Sequence, residues 1–227
     1  SGHRTPTVIS TLPSNARTVD EVRINAWQIR QVLTAGVHGV LHTHARQADA
    51  VRAFIEECRY PFQTIGLSDG LLQGQRGAGG QRNAAEVWGV NPSEYTQLAD
   101  PWPLNPKGEL MLGLKIEDRE CVANAEYICK VPGLSFAEWG PGDMGMSFGY
   151  EDAHDPPYPP EIDAAKTSVK NAVDENALFW LSSWNDPSNS IETNMEYLLN
   201  WGTKIVSGMG EEGARIGRMI SGRKMPV

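Results

Sequence analysis

Short apolar runs rich in β-branched residues alternate along the chain with longer stretches in which apolar residues recur at helical spacing. The short runs are typical of buried strands, and the longer stretches are typical of helices that pack on one face. Six strand–helix units follow from this pattern, which favours an α/β domain built on a parallel sheet. The predicted strands are 7–12, 39–43, 110–116, 135–139, 177–181 and 204–207.

The predicted helices carry one apolar stripe each. In the first of them Val22, Ala26, Ile29 and Leu33 recur at helical spacing, and Gly36 ends it. The prediction treats residues 1–227 as one domain. The helices cover about 20–34, 48–59, 120–131 and 161–176, with a C-terminal helix at about 211–221.

Two stretches interrupt the alternation of strands and helices. Residues 62–109 are rich in glycine and then in proline, which predicts a long loop excursion with two short helices. A loop of that length in a compact domain is usually functional or an insertion. Residues 151–160, EDAHDPPYPP, are predicted to be irregular because of their prolines.

Composition narrows the classes of function. The chain has 227 residues with 20 basic and 28 acidic side chains, a net charge of -8 and no basic stripe, so we expect no nucleic-acid partner. No apolar run is long enough to span a membrane and no signal pattern opens the chain, so we expect a cytoplasmic protein without a membrane partner. The three cysteines lack metal-ligand spacing. A small molecule is the expected ligand.

Two acidic residues stand where chemistry is expected in a parallel sheet. Glu117 directly follows the strand 110–116, and Asp143 lies in the Gly/Pro bend after the strand 135–139. The carboxyl ends of parallel strands converge at one edge, and paired carboxylates suit Mg²⁺ or Mn²⁺. The glycines before Asp143 allow close approach of an anionic ligand to the backbone. The alternative is that both acids merely favour helix N-termini.

The segment 112–150 resembles the HpcH/HpaI aldolase family of the citrate-lyase β-subunit superfamily. The resemblance rests on IE-x-x-E, which begins at Ile116, and on GP-x-D-x-x-x-S-x-G, which begins at Gly140. The flanks agree more weakly. They comprise Ala35-Gly36 with Gly39, His44, Arg59-Tyr60-Pro61 and Arg76-Gly77 in a Gly-rich loop.

The resemblance implies a TIM-type (β/α)₈ barrel that assembles as a homo-oligomer, usually a hexamer. It implies a metal-dependent carbon–carbon lyase that acts on a 2-oxo acid or hydroxy-oxo acid through a metal-bound enolate. In this sequence Glu117 and Asp143 would be the ligands of Mg²⁺ or Mn²⁺, and Gly142 would contact the substrate carboxylate through its backbone.

The sequence departs from the family pattern in two ways. The chain begins at the family's third strand, so the first two strand–helix units have no counterpart in it, and neither does a His-bearing loop. The family's Arg at the end of that third strand is replaced by Ser10 or Thr11. Lys115, where the family commonly has Gln, either restores the missing positive charge in the pocket or reaches solvent at a strand edge.

Three further residues are candidates by position. His44 is a candidate for proton transfer, while His42, on the same predicted face, suits a core position better. Arg76 would meet an anionic substrate or phosphate, or remain a solvated loop residue. Trp184 would form part of an aromatic wall that selects a bulky substrate, or pack in the core.

Two other functions stay open beside the aldolase. One is a non-catalytic paralogue that keeps the metal site and binds a carboxylate. The other is a related lyase or decarboxylase with a bulky aromatic or CoA-linked substrate, although the acidic chain offers little basic surface for CoA phosphates.

Overall fold

The computed structural model describes residues 7–223. Their seven strands lie in one parallel sheet. The strands are β1 (Ile9–Asn15), β2 (Gly39–Thr43), β3 (Pro101–Trp102), β4 (Leu110–Ile116), β5 (Phe136–Trp139), β6 (Phe179–Ser182) and β7 (Ile205–Val206).

Helices connect the strands and cover one face of the sheet. A 3₁₀ turn, Leu67–Asp69, lies in the long excursion between β2 and β3. The helices are α1 (Val19–Thr34), α2 (Ala48–Cys58), α3 (Gln81–Trp88), α4 (Pro92–Leu98), α5 (Arg119–Ala123), α6 (Ala125–Cys129), α7 (Pro141–Phe148), α8 (Pro160–Glu175), α9 (Ile191–Asn200) and α10 (Gly210–Ser221).

The sheet order is β1-β2-β4-β5-β6-β7, with the two-residue β3 paired to the start of β4. Apart from β3, each strand lies beside its predecessor in the chain, which is how successive units of a (β/α) barrel are arranged. The predicted α/β class with a parallel sheet is confirmed, as are the six predicted strands to within a few residues.

Several helices differ from the prediction. The helix predicted over 120–131 is interrupted at Asn124, which separates α5 from α6. The bend predicted at 140–143 continues into α7, because Pro141 occupies the first helical position, where its missing N–H has no intrahelical partner to lose. Helix α9 is an addition to the predicted set. Helices α3 and α4 are the two short helices expected within the excursion 62–109.

The two faces of the sheet bury different residues. Alternate residues of β4, Leu112, Leu114 and Ile116, belong to the main core between the sheet and the helices. On the opposite face Leu41, Phe136 and Leu181 form a smaller cluster. Gly113 of β4 lies on that face, where a Cβ atom would come within 2.3 Å of the Phe136 ring. The charged residues that follow along β4 therefore project beside this smaller cluster.

None of the helices described between residues 7 and 223 is both long and apolar enough to cross a bilayer.

Candidate functional site

The strand β4 delivers two charged side chains to the same face of the sheet. Lys115 lies two residues before Glu117, and side chains two apart in a strand point to the same side. The β4–β5 register places Lys115 directly opposite Glu138. Three charged groups therefore meet where β4 and β5 end, as the strand-end rule predicts.

Glu117 is a buried carboxylate, only 1% exposed. Neither of its oxygens accepts a hydrogen bond of good geometry from a described residue, although Lys115 Nζ lies 3.2 Å from Oε2. Burial raises the pKa of Glu117, and the charges of Lys115 and His44 oppose that rise. A Cβ atom at position 140 would lie 2.3 Å from Glu117 Oε2, so only glycine leaves room for the carboxylate.

Lys115 does not extend into solvent, because its side chain is 22% exposed and lies between two acids. Its Nζ is 3.2 Å from Glu117 Oε2 and 3.9 Å from Glu138 Oε2. Burial lowers the pKa of Lys115, but the charges of Glu138 and Glu117 outweigh burial and raise it overall. Burial raises the pKa of Glu138 to about 7. Lys115 therefore supplies a fixed positive charge between a carboxylate and an acid that titrates near neutrality.

His44 follows β2 with a positive φ of 51°, which turns its ring toward Glu117. Its Nδ1 lies 3.3 Å from Asp118 Oδ2, and its Nε2 lies 3.8 Å from Glu117 Oε1. The hydrogen bond with Asp118 raises the pKa of His44. Burial opposes ionisation of Asp118, yet hydrogen bonds from His44, from the Cys121 N–H and from Arg46 keep its pKa low. Asp118 thus acts as an anionic support for the His44 ring.

The prediction that His42 and His44 share a face is wrong. His42 lies within β2 and packs edge-on against Phe54 of α2, with ring centroids 5.0 Å apart. Its burial lowers its pKa to about 4. His44 lies beyond the strand end, where the pleat no longer sets side-chain direction, and its positive φ turns it to the site.

Asp143 completes the cluster from the first turn of α7. One ligand atom from each of His44, Glu117 and Asp143 lies within 4.8 Å of the others, and Asp143 is the exposed member. The donors are one imidazole nitrogen and two carboxylate oxygens, a combination that transition-metal and hard divalent cations accept. The two carboxylates predicted from sequence are thus brought together.

A cleft of about 300 Å³ opens beside the cluster. Gly142 lines this cleft as predicted, and a Cβ atom there would lie 3.3 Å from His154 Cδ2. The remaining lining residues follow β6 and β7 or lie in the loop 151–160, and the sequence prediction did not include them. The strand-end rule that identified Glu117 could also have identified the lining residues that follow β6 and β7. These lining residues are His154, Ser183, Asn185, Ser207 and Gly208.

Two predicted site residues lie outside this cluster. Arg76 is buried against the rings of Tyr60 and Tyr95 and lines a separate cavity. Trp184 stacks on Tyr197, with ring centroids 3.9 Å apart, among the helices that cover the sheet. The structure therefore does not bring Arg76 or Trp184 to the cleft that holds Lys115.

Comparison of the sequence with known proteins finds relatives over part of their length. No family model matches the chain. The chain is 30% identical over 146 residues to 4-hydroxy-2-oxo-heptane-1,7-dioate aldolase of Salmonella typhimurium, which is 64% of this chain and 46% of the relative. It is 28% identical over 141 residues to hydroxypyruvate/pyruvate aldolase of Sagittula stellata, 62% of this chain and 47% of that protein. The chain spans about half the length of the curated relatives that it matches.

Solved structures share the fold. An HpcH/HpaI aldolase from Desulfitobacterium hafniense superimposes with a TM-score of 0.65 and 18% identity, covering 95% of this chain and 70% of that one. Macrophomate synthase gives a TM-score of 0.63 at 18% identity, covering 95% of this chain and 64% of that one. The resemblance to HpcH/HpaI aldolases predicted from sequence is confirmed by both kinds of relative.

Proposed function

We propose that this chain carries the site of a divalent-metal-dependent carbon–carbon lyase of the aldolase type, acting on a 2-oxo acid or hydroxy-oxo acid. One observation carries the proposal. The carboxylates of Glu117 and Asp143 converge with the His44 imidazole within 4.8 Å, at the strand ends of a fold shared with aldolases. The names of the curated relatives support the reaction class.

The residues present suit a divalent cation. A buried carboxylate is costly unless it is fully hydrogen-bonded, and neither oxygen of Glu117 accepts a hydrogen bond of good geometry, although Lys115 lies close to Oε2. A cation shared with Asp143 would relieve the cost, and carboxylate oxygens are the ligands that Mg²⁺ and Mn²⁺ prefer. Gly140 leaves room for the Glu117 oxygen, since any side chain there would collide with it. Glu117 and Asp143 would hold the ion.

When bound, the cation would act as a Lewis acid toward the substrate carbonyl. Lys115 contributes a second positive charge on the same side of the cleft, 3.2 Å from Glu117. It would stabilise negative charge that develops on the substrate, as a preorganised cation does in a site of restricted solvent access. The Gly142 backbone and the side chains of Ser183 and Asn185 line the cleft where the substrate carboxylate would bind.

We assign proton transfer to His44 Nε2. The Asp118 carboxylate holds Nδ1 and raises the pKa of the ring, which favours the protonated form over the neutral form that a metal ligand requires. Nε2 remains directed toward the cluster, 3.8 Å from Glu117 Oε1. Glu138, with its pKa raised to about 7 by burial, offers a second proton carrier across the cleft.

The proposal is tested by retro-aldol assays with and without Mg²⁺ or Mn²⁺. We expect Glu117→Gln and Asp143→Asn each to lower kcat/KM by about 10²-fold or more, because each removes one anionic ligand. Glu126→Gln is the matched control, since Glu126 is an exposed acid of α6 that pairs with Lys130. Full activity in both site variants, or in excess chelator, would contradict the proposal.

A second function, binding of a carboxylate without catalysis, is favoured by one feature. The family resemblance implies an Arg at the position of Ser10 or Thr11, and β1 carries neither an Arg nor a Lys. This alternative predicts calorimetric binding of metal and of a 2-oxo acid with no turnover of any hydroxy-oxo acid. Turnover that is lost in Glu117→Gln excludes it.

A further inference from the structure

A second cavity, of about 330 Å³, lies at the C-terminal end of α1. It shares no lining residue with the cleft beside Lys115 and Glu117. Its walls are formed by the end of α1 and by the Gly-rich loop 75–80, which ends at the N-cap of α3. Its described lining includes two arginines, Arg30 and Arg76, and no acidic residue. The proposed lyase chemistry uses none of these residues.

Arg76 is a buried cation without a carboxylate partner among residues 7–223. It is 5% exposed, and its Nη2 donates a hydrogen bond to the Tyr95 hydroxyl at 3.0 Å. The guanidinium carbon lies 4.3 Å from the centre of the Tyr60 ring, and Nη1 has no acceptor in the described structure. Burying a charge without an opposite charge is costly. The positive charge beside the cavity therefore favours an anion within it.

The N-terminus of α3 lies beside the same cavity, because its N-cap residue lines it. Gly80 is its N-cap and supplies no side-chain acceptor, and the first turn contains no acidic residue. The first N–H groups of such a helix attract anions through their free hydrogens and through the helix dipole. A Cβ atom on Gly80 would lie 2.3 Å from Thr34 Oγ1, so glycine permits the close contact between α3 and α1.

Arg30 stands at the rim of the cavity with a half-exposed side chain. Its Nη2 lies 2.6 Å from Oε2 of Glu57, a buried acid that also pairs with Arg23. Arg23 pairs with Glu56 as well, so Arg23 and Arg30 face two carboxylates between them. Half of the Arg30 side chain is exposed and it lines the cavity, so Arg30 can also contact an anion there.

We propose that this cavity binds a small phosphate-type oxyanion, either free inorganic phosphate or the phosphoryl group of a phosphorylated metabolite. A phosphoryl group carries several acceptor oxygens, which match the combination of guanidinium groups and helix N–H groups. The loop backbone from Gln75 to Gly80 completes the wall and is rich in glycine, which lets a ligand approach closely.

Gly77 offers a clean test because it lines the cavity without being packed. A Cβ atom there meets no other atom within 4 Å, and its φ is not in the left-handed region. We expect the wild type and Gly77→Ala to bind inorganic phosphate equally by calorimetry, in EDTA so that no cation contributes. Gly77→Asp, which adds a carboxylate to the wall, is expected to weaken binding at least tenfold. Arg76→Gln should weaken it further.

Glycerol 3-phosphate distinguishes the two sources of the anion. Tighter binding of this ester than of phosphate supports a phosphorylated metabolite, and equal or weaker binding supports the free ion. Absence of phosphate binding to the wild type at 10-fold molar excess over about 1 mM protein overturns the proposal. Equal affinity of Gly77→Asp and Gly77→Ala overturns it as well, whether or not Arg76→Gln folds. The lyase assay is independent of these results.

Discussion

Lys115 shows how a single residue can change the electrostatics of a site. It is held between Glu117 and Glu138 and raised in pKa by both, so it is a fixed cation. The related aldolases commonly have a neutral Gln there, as the sequence resemblance implies. Lys115 therefore adds to the cleft a positive charge that the family pattern does not have at this position.

Replacement of Lys115 tests whether this charge participates in the reaction. We expect Lys115→Met to lower kcat/KM by about 10²-fold, the usual effect of removing one group that stabilises transition-state charge. Lys115→Arg should restore part of the loss because it restores the charge. Lys130→Met, at an exposed ion pair with Glu126, is the control and should leave activity unchanged. Unchanged turnover in Lys115→Met would reject the role.

The site residues that the sequence could predict lie on a strand or shortly after its end. Lys115 and Glu117 follow from the alternation of β4, and Asp143 follows from its place after β5. Arg76 lies in an irregular loop and Trp184 lies beyond β6, where no periodicity gives the direction of a side chain. The orientation of His44 depends on one backbone angle, which the sequence does not reveal.

At the scale of elements, α8 is anchored to its neighbours by a buried lysine. Lys166 is 2% exposed, and its Nζ lies 4.2 Å from the ring centres of both Trp184 and Trp201. It also donates a hydrogen bond to the Tyr197 hydroxyl at 3.2 Å. These rings come from α9 and from the segments that flank it. Cation–π contacts thus join α8 to a helix that the hydrophobic pattern did not predict.

Lys166 gives stability a pH dependence. Burial lowers its pKa from 10.5 to about 8, with Asp163 opposing. Between those values the unfolded chain binds more protons, so the free energy of unfolding should rise with pH relative to a variant without the group. In urea denaturation, we expect the free energy of unfolding of the wild type to increase relative to that of Lys166→Met between pH 8 and pH 10.5. Exposed Lys107→Met should show no such trend. A constant difference between wild type and Lys166→Met would contradict this account.

The elements themselves were largely predictable because hydrophobic period and helix-ending residues agree along most of the chain. β2 and β4 were predicted to the residue, since apolar runs bounded by polar residues define them. α7 was missed because a Gly-Pro-Gly run is also a turn signal, and only packing decides whether it continues as a helix. The break between α5 and α6 at Asn124 has no comparable signal in the sequence.

At the scale of the whole molecule, a bound cation should stabilise the fold independently of catalysis. Binding to the folded state alone at 100 times Kd contributes about 2.7 kcal/mol. For a chain of this size that corresponds to a rise in Tm of about 5–10 °C. We expect Mg²⁺ or Mn²⁺ to raise the Tm of the wild type by this amount, and chelator to reverse it. Glu117→Gln should abolish the rise, and an equal rise in that variant would place the ion elsewhere.

The excursion between β2 and β3 has a consequence for chain entropy. It makes Gly39 pair with Met111, about 70 residues apart, whereas Gly113 and Phe136 of the next strand pair are separated by about 20. Because the cost of closing a loop grows only with the logarithm of its length, the longer connection adds about 1 kcal/mol. The insertion of α3, α4 and their cavity therefore costs the sheet little stability. The excursion can vary in length while the register between β2 and β4 is kept.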